Sequence, residues 1–442
     1  MTETAIVVIM FVAFLVSLFL GGALYYVLGG LSIIFGLLFW GDANVINMFV
    51  RTTFKVATTT SYVCVPLFIF MGAVLERSGA SERLFESIHV LMGQIRGGLA
   101  IATVVICAMM GAATGIVGAS VTIMGMMALP AMLKCGYNKE LASGTVMAAG
   151  CLGSLIPPSV ILIVYASLSQ LSIAKLFAAG MSSGLFLAGL YALYIIIVCL
   201  IKPEAGPPIS KEERAKYDTK EMTRVFFFSF LPTIVLIITV LGSIMLGTAT
   251  PNEAAALGCL GAVVVAALYK RFSWKMIVES CYATIKTTAM VMWVILAASM
   301  FTSVFIGLGG GDVVANMITT LGGGNKWLIL VIVLFIIAIM GMLIDSTGIL
   351  LIGVPLFTPI LYPLGFDPLW FALMFAIMIQ MSFLSPPFAY AIFYLMAVAP
   401  PEITTRLMYR AVIPFIAVQI VALICCCYFP GIITYLPSLL TK

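Results

Sequence analysis

Apolar runs long enough to cross a bilayer recur along this chain from end to end. They include residues 4–40, 50–74, 97–133, 185–201, 226–248, 254–269, 287–307, 327–352 and 411–428. A transmembrane helix needs about 20 predominantly apolar residues. Of 442 residues, 63% are hydrophobic and 9% charged, whereas a soluble domain carries about 25% charged residues. No water-soluble fold hides that much apolar surface, so lipid is the solvent. The runs are continuous rather than alternating, which argues against a β-barrel. The fold class is an all-α polytopic membrane protein.

The placement of charge sets the orientation. Lys202, Lys211, Arg214, Lys216, Lys220 and Arg224 crowd one connector, and Lys270, Arg271 and Lys275 form the next basic cluster. Two apolar segments separate the clusters, so both lie on one face, cytoplasmic by the positive-inside rule. The turn ATPNE (249–253) then falls on the opposite face. The N-terminus MTETAIVVIM has no basic n-region and no small-residue cleavage site, and reads as a retained first span. Ten cysteines are scattered without a CxxC pair. The triplet Cys425–Cys427 has only His89 as a histidine anywhere in the chain, so it reads as packing rather than as a metal site.

The stretch GSLIPPSVIL (153–162) puts two prolines inside membrane-grade sequence. A shift of about 229 residues finds their counterpart. Pro157-Pro158 falls on Pro386-Pro387, Pro130 on Pro359, Gly136 on Gly365, Leu155 on Leu384 and Tyr165 on Tyr394. Several coincidences at one ungapped shift point to two structural repeats, of the inverted type common in transporters. Each repeat orders its parts alike. A Gly/Ser/Thr-rich broken segment (111–125, 341–353) leads to a helix ending near Pro130 or Pro359. An apolar arm, a Pro-Pro tip and a second arm follow.

The arms 141–152 and 160–171 offer about 12 residues each, or about 18 Å of helix, short of the ~30 Å hydrocarbon core. Proline lacks an N–H and pushes its predecessor out of the α region. The arms therefore predict a re-entrant helical hairpin in each repeat, with tips at 153–159 and 382–388. The alternative is one proline-kinked spanning helix. Non-helical backbone at membrane depth survives only inside protein or against a polar cavity. Two tips and two broken segments thus point to a binding site between them.

Such a site suits sodium, which takes oxygen ligands from unwound carbonyls and half-helix ends. The candidates are Gly153, Ser154, Ser382 and Ser385 at the tips. Thr114, Gly115, Gly118 and Ser120 supply the first break, and Asp345, Ser346, Thr347 and Gly348 the second. Small residues in membrane helices also serve plain packing. Asp345 stands out, because an ionisable group in an apolar segment is costly. It can bind a cation, orient a loop, carry a proton or cap the helix that follows. The first repeat has Ile116 near the equivalent place. No Lys or Arg lies within 341–405, so a carboxylate would be met by helix N-termini and bound sodium. A neutral polyol fits equally.

Other chemistries lack their residues. GLGGGDVV (307–314) and LGGGNKW (321–327) have no Gly-Lys followed by Ser or Thr, and read as helix breaks rather than a P-loop. That leaves no ATP-driven pump, and nothing in the chain indicates nucleic-acid binding or an enzyme. His89, beside Glu82, Arg83 and Glu86, belongs to an amphipathic interfacial helix over 80–95.

PLFIFMGAVLERSG (66–79), PAMLKCGY (130–137), LGSLIPPS (152–159), TATPNEAAALG (248–258) and GFDPLWF (365–371) together resemble the large membrane subunit of tripartite ATP-independent periplasmic (TRAP) transporters. The resemblance runs from about residue 5 to 435. It implies a sodium-driven elevator-type importer of the bacterial inner membrane, with no cofactor beyond Na⁺ as coupling ion. The wording of both hairpins looks most like the branch for monocarboxylates, keto acids, polyols or aromatic acids. It also implies a small four-helix membrane subunit, expected as a separate chain, and a soluble periplasmic substrate-binding protein.

By motif, Gly153, Ser154, Pro157, Pro158, Ser159, Ser385, Pro386 and Pro387 would bound the substrate. The division implied is 1–96 scaffold helices with the interfacial helix, 97–201 first repeat, 202–225 cytoplasmic linker, 226–286 scaffold helices and 287–442 second repeat. Many relatives carry an Asp where this chain has Ser120, so no charged role transfers there. Glu253 matches a family motif and is expected to be structural, at a helix start. The competing reading is a self-sufficient Na⁺/carboxylate carrier with a similar two-hairpin plan.

Overall fold

The computed structural model describes residues 2–93, 95–115, 117–208, 219–386 and 389–440. The side chains of Thr114 and His89 also lie outside that description, as does most of the basic linker. Twenty α-helices build the described chain, and seven are long and apolar enough to cross a membrane.

The apolar run 4–40 is two helices, α1 (Glu3–Phe19) and α2 (Leu24–Phe39), parted by Gly21 at φ 84°. The expected span at 50–74 is displaced. Residues 50–58 end the amphipathic helix α3 (Asp42–Thr58), which carries Arg51 and Lys55. Thr59 is extended, its hydroxyl taking the Lys55 carbonyl, and the span begins at Thr60 and continues as α4 (Cys64–Arg77). Mean hydropathy blurred an amphipathic helix into its apolar neighbour. The helix expected over 80–95 is α5 (Ala80–Met92), which buries Leu84, Phe85 and Ile88.

The first broken segment is α6 (Gly98–Thr114) and α7 (Val117–Lys134). Asn138 caps α8 (Lys139–Gly150), accepting from the N–H groups of Glu140 and Leu141. A 3-10 turn (Cys151–Ser154) and the prolines lead to α9 (Val160–Ser169), and then comes the long α10 (Ile173–Ile201). The chain between Gly150 and Val160 is not α-helical, so one continuous kinked helix is excluded.

Beyond the linker lie α11 (Thr219–Met245) and α12 (Pro251–Leu268). Thr250 and Glu253 close a reciprocal capping box at the start of α12, and Asn252 donates to the Thr60 carbonyl at 3.2 Å. Glu253 is structural. Next come α13 (Trp274–Gly307) and α14 (Gly310–Gly322), parted by Gly309 at φ 85°. The chain continues with α15 (Lys326–Leu343) and α16 (Ser346–Leu361), then α17 (Pro368–Ser382), α18 (Tyr390–Met396), α19 (Thr405–Tyr428) and α20 (Gly431–Leu439).

Two groups of helices pack around this order. One joins α12 to α4, α11 to α5, and α13 to α2 and α4. The other interleaves the Pro-Pro regions: α8 packs on α19, α17 on α10, α9 on α16 and α18 on α7. Two contacts orient the second group. The Asn138 N–H donates to Ala205 O at 3.0 Å, just past the end of α10. Lys139 beside it pairs with Glu402, just ahead of α19. The end of α10 and the start of α19 therefore share one face, and the two helices run in opposite directions.

Candidate functional site

The first tip is folded onto itself. Ser154 Oγ donates to Cys151 O at 2.8 Å, and Ser159 Oγ donates to Ser154 O at 2.6 Å. Residues 151–159, including Gly153 and the cis Pro157-Pro158 pair, are buried. A hydroxyl that donates its hydrogen keeps its lone pairs, so both serines retain oxygen for a ligand. The second tip closes on the equivalent carbonyl: the Ala391 N–H donates to Phe383 O at 3.1 Å. Ser382 and Ser385 are buried and donate to the carbonyls of Met378 and Met381 at 3.0 and 2.9 Å. Pro387 lies outside the described residues, and Pro386 is exposed.

Each tip rests on a helix break, and glycine makes the contact. Gly115 ends α6 in the left-handed region at φ 63°. A Cβ there would lie 2.5 Å from Pro158 O, and one on Gly111 2.6 Å from Gly153 Cα. Backbone thus meets backbone, with no side chain between. In the second half, a Cβ on Gly341 would collide with Ser382 Oγ. The following break is Ile344–Asp345. Asp345 is extended at φ −62°, ψ 151°, and its carboxylate accepts from the Thr347 N–H at 3.1 Å. Its one described hydrogen-bond role is to cap α16. Asp345, Ser346 and Thr347 are half-buried. Gly348 is buried and faces Leu24 of α2, so it packs rather than opening toward a ligand. Ser120 is buried on α7.

A residue without a proposed role joins the two halves. Tyr394 of α18 lies across α7, where a Cβ on Gly118 would come within 2.9 Å of its ring. AYAIFYL marks the residue, with two tyrosines one turn apart and the second matching Tyr165 in the repeat alignment, but not its contact with Gly118. Sequence reasoning also missed a groove of about 520 Å³ lined by Pro386, Thr405, Arg406, Tyr409, Arg410 and Ile413. Its lining is apolar, so Arg406 and Arg410 contribute their aliphatic stems beside Pro386.

A family model described as "Tripartite ATP-independent periplasmic transporter, DctM component" matches residues 11–432. The chain belongs to this family. As a DctM-family chain it is similar to the C4-dicarboxylate TRAP transporter large permease protein DctM of Pseudomonas aeruginosa, 30% identical and covering 87% of this chain and 88% of that one. The ectoine/5-hydroxyectoine large permease protein UehC of Ruegeria pomeroyi is 29% identical over 97% of this chain and 98% of its own. The sialic acid permease protein SiaT of Haemophilus influenzae is 25% identical over 90% of this chain and 63% of its own. Two solved transporters share the fold. YdaH of Alcanivorax borkumensis has TM-score 0.63 at 14% identity, covering 95% of this chain and 98% of that one. MtrF of Neisseria gonorrhoeae has TM-score 0.62 at 13% identity, covering 88% and 84%. The DctM-family chain is a transporter permease subunit, not an enzyme.

Proposed function

We propose that this TRAP large permease subunit is sodium-driven. It imports small organic acids or related solutes across the bacterial inner membrane. It works with a small four-helix membrane subunit and a soluble periplasmic substrate-binding protein. The observation that carries the reading is the meeting of two helix breaks with two hairpin tips, bridged by Tyr394 and holding one carboxylate, Asp345. Carbonyls at Gly115 and Gly153, the hydroxyls of Ser154, Ser346, Ser382 and Ser385, and Asp345 supply the hard oxygens that sodium takes. Substrate lies between the tips, bounded by Ser154, Ser159 and Ser385. The partner subunits follow from the family rather than from this chain's residues.

An elevator of two inverted repeats accords with the packing. Under the shift of about 229 residues, Val117 falls on Ser346, where α7 and α16 begin, and Lys139 on Pro368, where α8 and α17 begin. The main contacts of the hairpin arms come in exchanged pairs: α8 with α19 answers α17 with α10, and α9 with α16 answers α18 with α7. Opposed α10 and α19 support the inversion. The arms of α8 and α9 are about 18 and 15 Å long, too short to span, which supports re-entrant hairpins. The group built on α4, α11, α12 and α13 serves as scaffold, and the interleaved hairpins as the moving domain.

Reconstitution tests the proposal. Uptake into proteoliposomes should require a sodium gradient, the small subunit and a binding protein, across a screen of acids and polyols. Uptake by the lone chain with sodium would favour the self-sufficient carrier, and gradient-independent turnover would reject both.

A further inference from the structure

A cluster of polar side chains lies in the core, apart from the sodium site. Tyr191 on α10, Gln380 on α17 and Gln419 on α19 are each fully buried. Gln419 Nε2 donates to the Tyr191 hydroxyl at 2.8 Å, while the Tyr191 ring stands edge-on to Phe415 at 5.6 Å. Gln380 and the Cys151 thiol also lie beside that hydroxyl. No partner meets hydrogen-bond geometry at either amide atom of Gln380 or at Oε1 of Gln419, although Gln380 approaches the Tyr191 hydroxyl. Buried polar groups are nearly always paired, and each exception calls for a reason.

The position gives the cluster its interest. Cys151 opens the turn of the first hairpin, and Gln380 stands two residues before Ser382 in the second. The helices that follow each hairpin, α10 and α19, supply the other two groups, and α10, α17, α19 and the 151–154 turn all pack together. The cluster is the seam where both hairpins meet.

Counting donors and acceptors selects the occupant. Two amide NH₂ groups and one hydroxyl offer five hydrogens, against six lone pairs on the two amide oxygens and the hydroxyl oxygen. Exchanging the O and N of either amide leaves this tally unchanged. With hydrogens and lone pairs nearly balanced, the cluster suits an occupant that both donates and accepts, which a cation does not. A water molecule can accept from Gln380 Nε2 and donate to Gln419 Oε1, leaving Gln380 Oε1 for the Tyr191 hydroxyl. Buried waters characteristically make about three hydrogen bonds to otherwise unsatisfied groups.

We propose that Tyr191, Gln380 and Gln419 enclose one buried water, and that this hydrated node fastens the arm of the second hairpin to the helix trailing the first, so that the two hairpins move as one body. The proposal is independent of the sodium reading.

Two measurements test it on the full-length chain. Gln380→Leu and Gln419→Leu each keep the volume but strand the opposite amide. Each single change should lower the melting temperature in detergent by several degrees. The double variant should recover much of the loss, because both unpaired amides are gone. Additive losses would overturn the proposal. A density map of the wild-type chain that resolves ordered water should show a peak within hydrogen-bond distance of both amides. Directly paired amides, an empty seam, or a peak that disappears when sodium is replaced by potassium would overturn it equally. The map needs no variant, so it decides the matter even if the substituted chains do not fold.

Discussion

Lys139 Nζ donates to Glu402 Oε2 at 2.8 Å, joining the base of the first hairpin to the loop ahead of α19. The hydrogen bond and charge of Lys139 hold the Glu402 carboxyl below its ordinary range. A depressed carboxyl contributes stability above its unfolded pKa and loses it as pH falls through the folded one. The melting temperature of wild type should therefore exceed that of Glu402→Gln by a constant margin from neutral pH down to about 5. The margin should close below about pH 4. Both side chains are exposed, so the margin is small. A margin unchanged in acid would show that the carboxylate does not sense Lys139.

Asp345 caps α16 and, in the proposed function, also supplies the site's carboxylate. Asparagine caps about as well as aspartate, whereas alanine costs about 1 kcal/mol. Asp345→Asn should thus keep expression and thermal stability yet reduce sodium-coupled uptake several-fold. Asp345→Ala should lose both. If Asp345→Asn retains wild-type sodium dependence, the carboxylate is only a cap.

Gly118 lies beneath the Tyr394 ring with no room for a methyl group. Gly118→Ala should lower uptake and melting temperature together. Gly118→Ala with Tyr394→Ala should regain stability while leaving uptake impaired, since the ring bridges the two halves of the site. Additive destabilisation in the double variant would mean that the two residues do not meet.

Gly115 combines a left-handed backbone with the Pro158 carbonyl overhead. Conformation alone penalises an L side chain there by about 1–2 kcal/mol, and the carbonyl adds a collision. Gly115→Ala should impair folding or uptake far more than Gly189→Ala, where a Cβ meets open space. Equal behaviour of the two would remove the close approach of tip and break.

The helix break at Pro157-Pro158 was legible because proline acts locally. The arms expected at 141–152 and 160–171 start and stop within about two residues of α8 and α9. The arm α8 begins earlier than its apolar run, because Asn138 caps a first turn holding Lys139 and Glu140. The span misplaced at 50–74 has the same origin: hydropathy tracks burial, whereas helix ends follow caps and amphipathic faces. Tyr394 over Gly118, Arg406 near Pro386 and the Gln380 seam were beyond reach, because they arise from the interleaving of the halves. Periodicity within one segment records which face is apolar. It does not record which distant residue will lie against that face.

The backbone contacts of Gly111 with Gly153, and of Gly115 with Pro158, bear on how this chain can vary. Where two main chains touch, no compensating change of side chain at one position can relieve an enlargement at the other. A saturation scan of all positions scored for uptake should show two cold spots, one on each strip of this contact, with every replacement of glycine depleted. Ser346 and Thr347, half-buried at the second break, should tolerate exchange of Ser and Thr. Substrate preference can then drift among relatives through those side chains, while the joint between tip and break stays closed to variation.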